Sequence, residues 1–239
     1  MRLLALVGAL ICSSAFATPH HRTAEQVVLA PGYTELTFNA PEPGSYQLPS
    51  LGKASDGSVL TSKGKASSLQ ELTGDKFVLL SFIYTSCNDV NGCPLASYVL
   101  NKVQRRVQQD AALRNYVRLL TISFDRVNDS TEILAKYADN FREGDFDWQF
   151  LTTPSDEALA KILEAYNQFV IEDLNEAGEK IGTLSNILRV YLIDQDREIR
   201  NIYSVSFLHP DIIANDIRTI VSDHSSQAQR GASDDSALQ

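Results

Sequence analysis

Sulfur is scarce in this chain: its 239 residues include three cysteines, one methionine and, among the large aromatics, a single tryptophan. Three cysteines are too few for the disulfide scaffold of a small secreted domain, and an odd number leaves one thiol to be explained. Positive charge is also in short supply, with 21 Lys and Arg against 30 Asp and Glu and a formal net charge of -9. That balance argues against nucleic acid or an anionic lipid surface as the main partner. No internal repeat and no interdomain linker divides the sequence. What remains is an ordinary globular composition, 44% hydrophobic and 21% charged, long enough for one domain with a full core.

The N-terminus accounts for the odd cysteine. Met1-Arg2 is a short positive start, Leu3 to Cys12 an apolar run, and Ala15-Phe16-Ala17 a small-residue cleavage pattern. The run is too short to cross a bilayer, so residues 1–17 read as a signal peptide cleaved after Ala17. Cleavage removes Cys12 and Arg2, leaving two cysteines and a charge of 20 minus 30, or -10. Export would place Cys87 and Cys93 in an oxidising compartment, the periplasm or the medium, where thiols pair unless kept reduced or metallated. No later segment is apolar for long enough to span a membrane, so no transmembrane segment is expected after cleavage.

Residues 18–44 form a proline-bearing leader, with a short strand or hairpin predicted near Tyr33–Phe38. The main domain is predicted over 45–224. Phe77–Tyr84 is an apolar run of strand length, suited to a strand buried on both faces. Pro94 fits the first turn of a helix carrying Tyr98, Val99, Val103 and Val107. A second buried strand follows at Val117–Phe124, then a helix capped near Asp129-Ser130, a short strand at Asp147–Leu151, and a helix from Ser155. After the polar stretch Asn175–Gly178 come a strand at Leu188–Ile193, its partner at Glu198–Tyr203, and a last amphipathic helix from Pro210 through Val221. The tail from Ser225 to Gln239 is small, polar and predicted to be disordered. Alternating strands and helices with a closing hairpin predict an α/β thioredoxin-like fold, a central mixed sheet flanked by helices with an N-terminal extension.

Cys87 and Cys93 fall between the end of a buried strand and the start of a helix, where an α/β sheet exposes its sites. Free N–H groups at a helix start favour the thiolate, the form that attacks disulfides and binds soft metals. Asp89 opposes ionisation by like charge, and Asn91-Gly92 supplies slack for the sulfurs to meet or to share one ion. A purely structural disulfide is the alternative, although a bridge across so short a span removes little loop entropy.

The stretch Phe82-Ile83-Tyr84-Thr85-Ser86-Cys87-Asn88-Asp89-Val90-Asn91-Gly92-Cys93-Pro94 resembles the strand and copper loop of the SCO/SenC family, with Asn91-Gly92 as a two-residue insertion. The resemblance continues through Ile122-Ser123-Phe124-Asp125, Asn128-Asp129-Ser130, Trp148–Thr152 and Val190–Asp194. It implies an exported thioredoxin-like protein that handles copper during assembly of cytochrome c oxidase. Its implied client is a metalloprotein or thiol protein such as a respiratory oxidase subunit. It also implies Cys87 and Cys93 as copper ligands or as a reactive dithiol, with Cu(I) as the metal.

The family's third copper ligand is a histidine, and Asn186 stands at the matching position here. A carboxamide is a poor copper ligand beside imidazole, whereas two thiolates suffice for Cu(I). His209 reads as a helix-start residue, His224 lies beside the tail, and His20 and His21 belong to the leader. A peroxiredoxin is excluded, because Leu80 and Tyr84 stand where its motif needs Pro and Thr. Neither a Cys-x-x-Cys nor a proline ahead of the later strand is present, as a general thioredoxin would require. Two readings therefore stand: a copper or thiol-exchange protein working through Cys87 and Cys93, or an exported binding module with a structural disulfide.

Overall fold

Seven consecutive buried residues, Phe77–Ile83, form the central strand of the structure, a computed structural model that describes residues 27–236. The proposed signal segment, His20 and His21 lie outside the described residues. In chain order, β1 (Ser58–Thr61) and β2 (Ala66–Ser68) form a hairpin, followed by a short helix α1 (Leu69–Thr73) capped by the Ser68 side chain. Then come β3 (Phe77–Ile83), α2 (Cys93–Gln109), β4 (Val117–Ser123), α3 (Thr131–Asp139), β5 (Trp148–Thr152) and α4 (Asp156–Ala165). The chain closes with β6 (Val170–Leu174), β7 (Lys180–Asn186), β8 (Val190–Ile193), β9 (Ile199–Tyr203) and α5 (Pro210–Ser236).

Seven strands make one sheet in the order β2-β1-β5-β4-β3-β8-β9. Strands β3, β4 and β5 are parallel, β1 and β8 flank them antiparallel, and the edge strands β2 and β9 are antiparallel to β1 and β8 in turn. Strands buried on both faces need helices on both faces, and alternation along β3 sorts them. Ser81 belongs to the face under α2 and α3: its Oγ meets Thr121 Oγ1 at 2.8 Å, and Trp148 Nε1 donates to the same Thr121 oxygen at 2.9 Å. Phe82 points to the opposite face, where Tyr166 at the end of α4 and Tyr191 of β8 pack around it. Helix α2 is joined to α3 by Ser97 Oγ and Tyr137 OH at 2.8 Å, and to α5 by the Arg106–Asp211 ion pair at 2.6 Å. The mixed sheet flanked by helices is the fold the sequence predicts.

Three expectations are corrected. No strand forms at Tyr33–Phe38; instead a 3-10 turn at Pro31–Tyr33 leads into irregular chain. The first two donors of the segment are spent in that turn, Tyr33 N–H on Ala30 O at 3.1 Å and Thr34 N–H on Pro31 O at 3.0 Å. This part of the leader runs along the body of the protein: Asn215 Nδ2 donates to Pro41 O at 2.8 Å and Tyr46 OH to Asp216 at 2.5 Å. Second, the polar stretch Asn175–Gly178 is the turn of an additional hairpin, β6–β7, a separate two-stranded sheet. Third, the last helix, read from the sequence through Val221, extends to Ser236. Beyond Pro210 the segment has no proline to stop it, and Gln227-Ala228-Gln229-Arg230 are good helix formers. Among the described residues no helix is long and apolar enough to cross a membrane.

Candidate functional site

β3 ends at Ile83, and the chain leaves the sheet through Tyr84, Thr85 and Ser86 to reach Cys87. One carboxylate fixes this exit. Asp129, only 1% exposed, accepts the Thr85 N–H at 3.0 Å, the Thr85 hydroxyl, and the Ser123 hydroxyl at 2.5 Å. It thereby ties the ends of β3 and β4 together, and with three donors its buried charge is well satisfied. The neighbouring Ser130 caps α3, accepting the Ile133 N–H at 3.3 Å.

The far end of the loop is held from the N-terminal side. The Asn91 carboxamide accepts the Ala30 N–H at 2.8 Å and donates to Val28 O at 2.9 Å, as a peptide group in a ladder would. Tyr33 OH donates to Val90 O at 2.6 Å while its ring packs against Tyr98, centroids 5.0 Å apart. Residues 28–33 thus form a strap across the cysteine loop. Within the loop, Asn91 N–H donates to Asp89 Oδ1 at 3.0 Å and Gly92 N–H to Asp89 O at 2.9 Å. A Cβ at position 92 would come within 3.0 Å of Asp89 Oδ2, so glycine lets this turn close. Cys93 then opens α2 with Pro94 behind it.

Both cysteines are free; Cys87 is half-buried and Cys93 fully buried. Their surroundings make the two thiols unequal. The Cys93 thiol donating to Cys87 is the main reason the Cys87 pKa falls to about 6. The backbone N–H groups of Cys93 and Asp89 and the Tyr84 hydroxyl act the same way, while burial opposes them. The same hydrogen bond, together with burial, pushes the Cys93 thiol far up. At neutral pH the pair is one half-buried thiolate backed by one protonated, buried thiol. Asp89, expected from its charge to oppose ionisation, instead turns its carboxylate into its own loop and offers Cys87 its N–H.

Tyr84 connects this pair to the β6–β7 hairpin. Its ring packs on Phe124 at 5.2 Å, its hydroxyl accepts the Leu184 N–H at 3.4 Å, and burial raises its pKa to about 12. In the hairpin, Val170 pairs with Asn186 and Glu172 with Leu184. Period-two alternation puts Asn186 on the same face as Leu184 and Val170, which pack against the core. Its Nδ2 is buried there with no acceptor. On the outer face Phe169, Ile171 and Ile187 are 63%, 65% and 53% exposed.

The structure brings Cys87 and Cys93 together and sets Asn186 on the inner face of the hairpin. The described histidines lie elsewhere. His209 is buried; its Nδ1 accepts the Asp211 N–H at 3.1 Å and its Nε2 donates to Thr34 O at 3.0 Å, a helix-start role. His224 packs edge-on against Phe77, at the other end of β3 from the cysteines. The loop itself offers two sulfurs, donors of the kind soft metals take, and among the described residues no histidine is shown beside them. Reasoning from sequence missed Tyr84 and Asn91 as working residues. Both stood inside the cysteine motif, but their partners Leu184 and Val28 are distant in sequence.

Comparison with known proteins adds the following. The profile of the SCO1/SenC family matches residues 54–222. No match is found among curated proteins. Among solved structures, Arabidopsis thaliana ScoI with copper bound superposes with a TM-score of 0.61 at 17% identity, covering 72% of this chain and 99% of that one. Bradyrhizobium japonicum ScoI with copper bound gives 0.57 at 23% identity, covering 70% and 98%. BsSco, described as a member of the Sco family of cytochrome c oxidase assembly proteins with a disulfide switch, gives 0.52 at 23% identity, covering 76% and 96%.

Proposed function

The chain belongs to the SCO1/SenC family, and from that premise we propose that it serves the assembly of a copper centre of the cytochrome oxidase type through thiol–disulfide exchange at Cys87 and Cys93. The observation that carries this reading is the inequality of the two thiols: a half-exposed Cys87 with a pKa of about 6 beside a buried, protonated Cys93. In the forward step the Cys87 thiolate attacks a partner disulfide. A Cys87–partner S–S bond forms, the partner's S–S bond breaks, and the leaving sulfur departs as thiolate. Cys93 then gives its proton to that thiolate and attacks the Cys87 sulfur; a Cys87–Cys93 disulfide forms, the Cys87–partner S–S bond breaks, and the partner leaves with one thiol and one thiolate, the latter taking a proton from water. Two electrons pass to the partner. Burial of Cys93 keeps the second thiol from competing as a nucleophile.

A second reading, Cu(I) delivery, is favoured by the contact between the sulfurs, since two thiolates can hold Cu(I) once Cys93 gives up its proton. In this proposal the protein works in the periplasm or outside the cell after cleavage at Ala17, and N-terminal sequencing of exported protein should begin at Thr18. One experiment ranks the chemistries: the Cys87–Cys93 reduction potential measured with and without Cu(I). A potential above about -300 mV supports a working dithiol, and a lower one indicates an inert bridge and refutes the exchange reading. Cu(I) bound no more tightly by the reduced wild type than by Cys87→Ser/Cys93→Ser removes the delivery reading.

A further inference from the structure

Asn91-Gly92 lies between the two cysteines and is the one Asn–Gly pair in the sequence. Such a pair is chemically labile. The backbone nitrogen after an asparagine can attack the side-chain Cγ, and glycine, with no Cβ, shields that nitrogen least. This loop nevertheless requires the glycine, because a Cβ at position 92 would stand 3.0 Å from Asp89 Oδ2 in the turn that delivers Cys93 to the start of α2. Both groups that would react are occupied in the fold. The carboxamide of Asn91 is held out to the strap, on Ala30 N–H and Val28 O, while the buried Gly92 N–H donates to Asp89 O. The strap is pinned at the same place by Tyr33 OH on Val90 O and by the close seat of Gly32 against Leu208 O. Cγ and the Gly92 nitrogen meet only when the strap lets the carboxamide go.

From this arrangement we propose that Asn91 is a deamidation site gated by the strap, and that its modification unlatches the strap permanently. The Gly92 nitrogen forms a bond to Asn91 Cγ, the Cγ–Nδ2 bond breaks, and ammonia leaves carrying the Gly92 amide proton. Water then opens the succinimide ring. Addition at Cγ leaves aspartate; addition at the main-chain carbonyl leaves isoaspartate, whose main chain is longer by a carbon. No electrons change hands. Either product has lost the Nδ2 donor that holds Val28 O, and a carboxylate stands in its place close to Asp89. In the isoaspartyl form the covalent path from Cys87 to Cys93 is longer by that carbon, just ahead of the helix that Cys93 opens. This chemistry is the same whether the cysteines exchange disulfides or deliver copper.

The test follows the reduced full chain through prolonged incubation in mildly alkaline buffer, with peptide mapping and fragmentation by mass spectrometry. Wild type should gain about 1 Da at Asn91, as replacement of NH2 by OH requires. The chain unfolded in urea should do so at least about tenfold faster. Tyr33→Phe removes one neutral hydrogen bond from the strap and should speed the reaction at Asn91 about fivefold, while Asn88, exposed in the same loop, keeps its wild-type rate. Modified protein carries an added negative charge, and once separated by ion exchange its strap amides should exchange faster than those of unmodified protein. Equal rates at Asn91 in the folded, Tyr33→Phe and unfolded chains would overturn the gating, as would a Tyr33→Phe effect shared by Asn88. Strap amides equally protected after modification would overturn the unlatching. A gain that fragmentation places at Asn88 and not at Asn91 would overturn the assignment of the site.

Discussion

Replacing Cys93 with Ala removes the donor that most favours the Cys87 thiolate, and the consequence can be worked through in numbers. With a pKa of about 6, Cys87 is about 90% thiolate at pH 7, against about 3% for an ordinary thiol at 8.5. That gain of about 30-fold in population is mostly cancelled, because nucleophilicity falls with basicity. At a Brønsted slope near 0.5, a drop of about 2.5 units costs each thiolate about 18-fold. The net advantage at pH 7 is about twofold, too small to be diagnostic. At pH 5.5 the populations are about 24% and about 0.1%, and the advantage becomes about 13-fold. The assay is therefore the pH profile of the first step with a small disulfide, followed by stopped flow. For wild type the rate should rise through a midpoint near pH 6 and be lost below it, since the thiolate is the form the site stabilises. In Cys93→Ala the backbone N–H groups of Asp89 and residue 93 remain, so the midpoint should move up by about one to two units. Cys93→Ser keeps a donor and should fall between the two. A wild-type midpoint at pH 8 or above, or one that Cys93→Ala leaves unmoved, would refute the account of unequal thiols.

Asn186→His should add an imidazole on the inner face of the hairpin and raise Cu(II) affinity, seen as a sulfur-to-copper absorption band absent from wild type; no band would count against that placement of the third ligand. Asp129→Ala strands the Thr85 N–H and two hydroxyls and should lower stability by about 3 kcal/mol or more in urea titration, while a loss under about 1 kcal/mol would show that water replaces the carboxylate. Gly32→Ala places a Cβ 2.2 Å from Leu208 O, a backbone atom. The strap must shift, costing about 1–3 kcal/mol, and amide exchange at Ala30 should accelerate, as it should also in Asn91→Ala.

The sheet was readable because Phe77–Tyr84 and Val117–Phe124 are apolar runs that only a strand buried on both faces accommodates. The helix starts were readable because Ser130, Ser155 and Pro94 carry local chemistry. The β6–β7 hairpin was not. Val170-Ile171-Glu172-Asp173-Leu174 has neither alternation nor a continuous apolar run, and it stands apart from the main sheet. One of its anchors is Tyr84, 100 residues away from Leu184. Local pattern misled in the opposite sense at Tyr33–Phe38, where Tyr33 packs on Tyr98 of α2 and Phe38 is exposed, so the alternation marks no strand. Asn91 was legible only as slack in a loop. Its role as a latch depends on Val28 and Ala30, which spacing within the cysteine motif does not reveal.

The Ser81–Thr121–Trp148 chain of hydrogen bonds sits deep among residues that would otherwise be interchangeable oil. Purely aliphatic parallel strands can slide by two residues at modest loss, since the same faces stay buried. Here such a slide would leave buried hydroxyls and an indole N–H without partners, each at about 1–3 kcal/mol. It would also carry the end of β3 about 6.6 Å along its axis. The three side chains therefore act as a vernier: they set, from the middle of the sheet, the height at which Cys87 emerges beneath the hairpin.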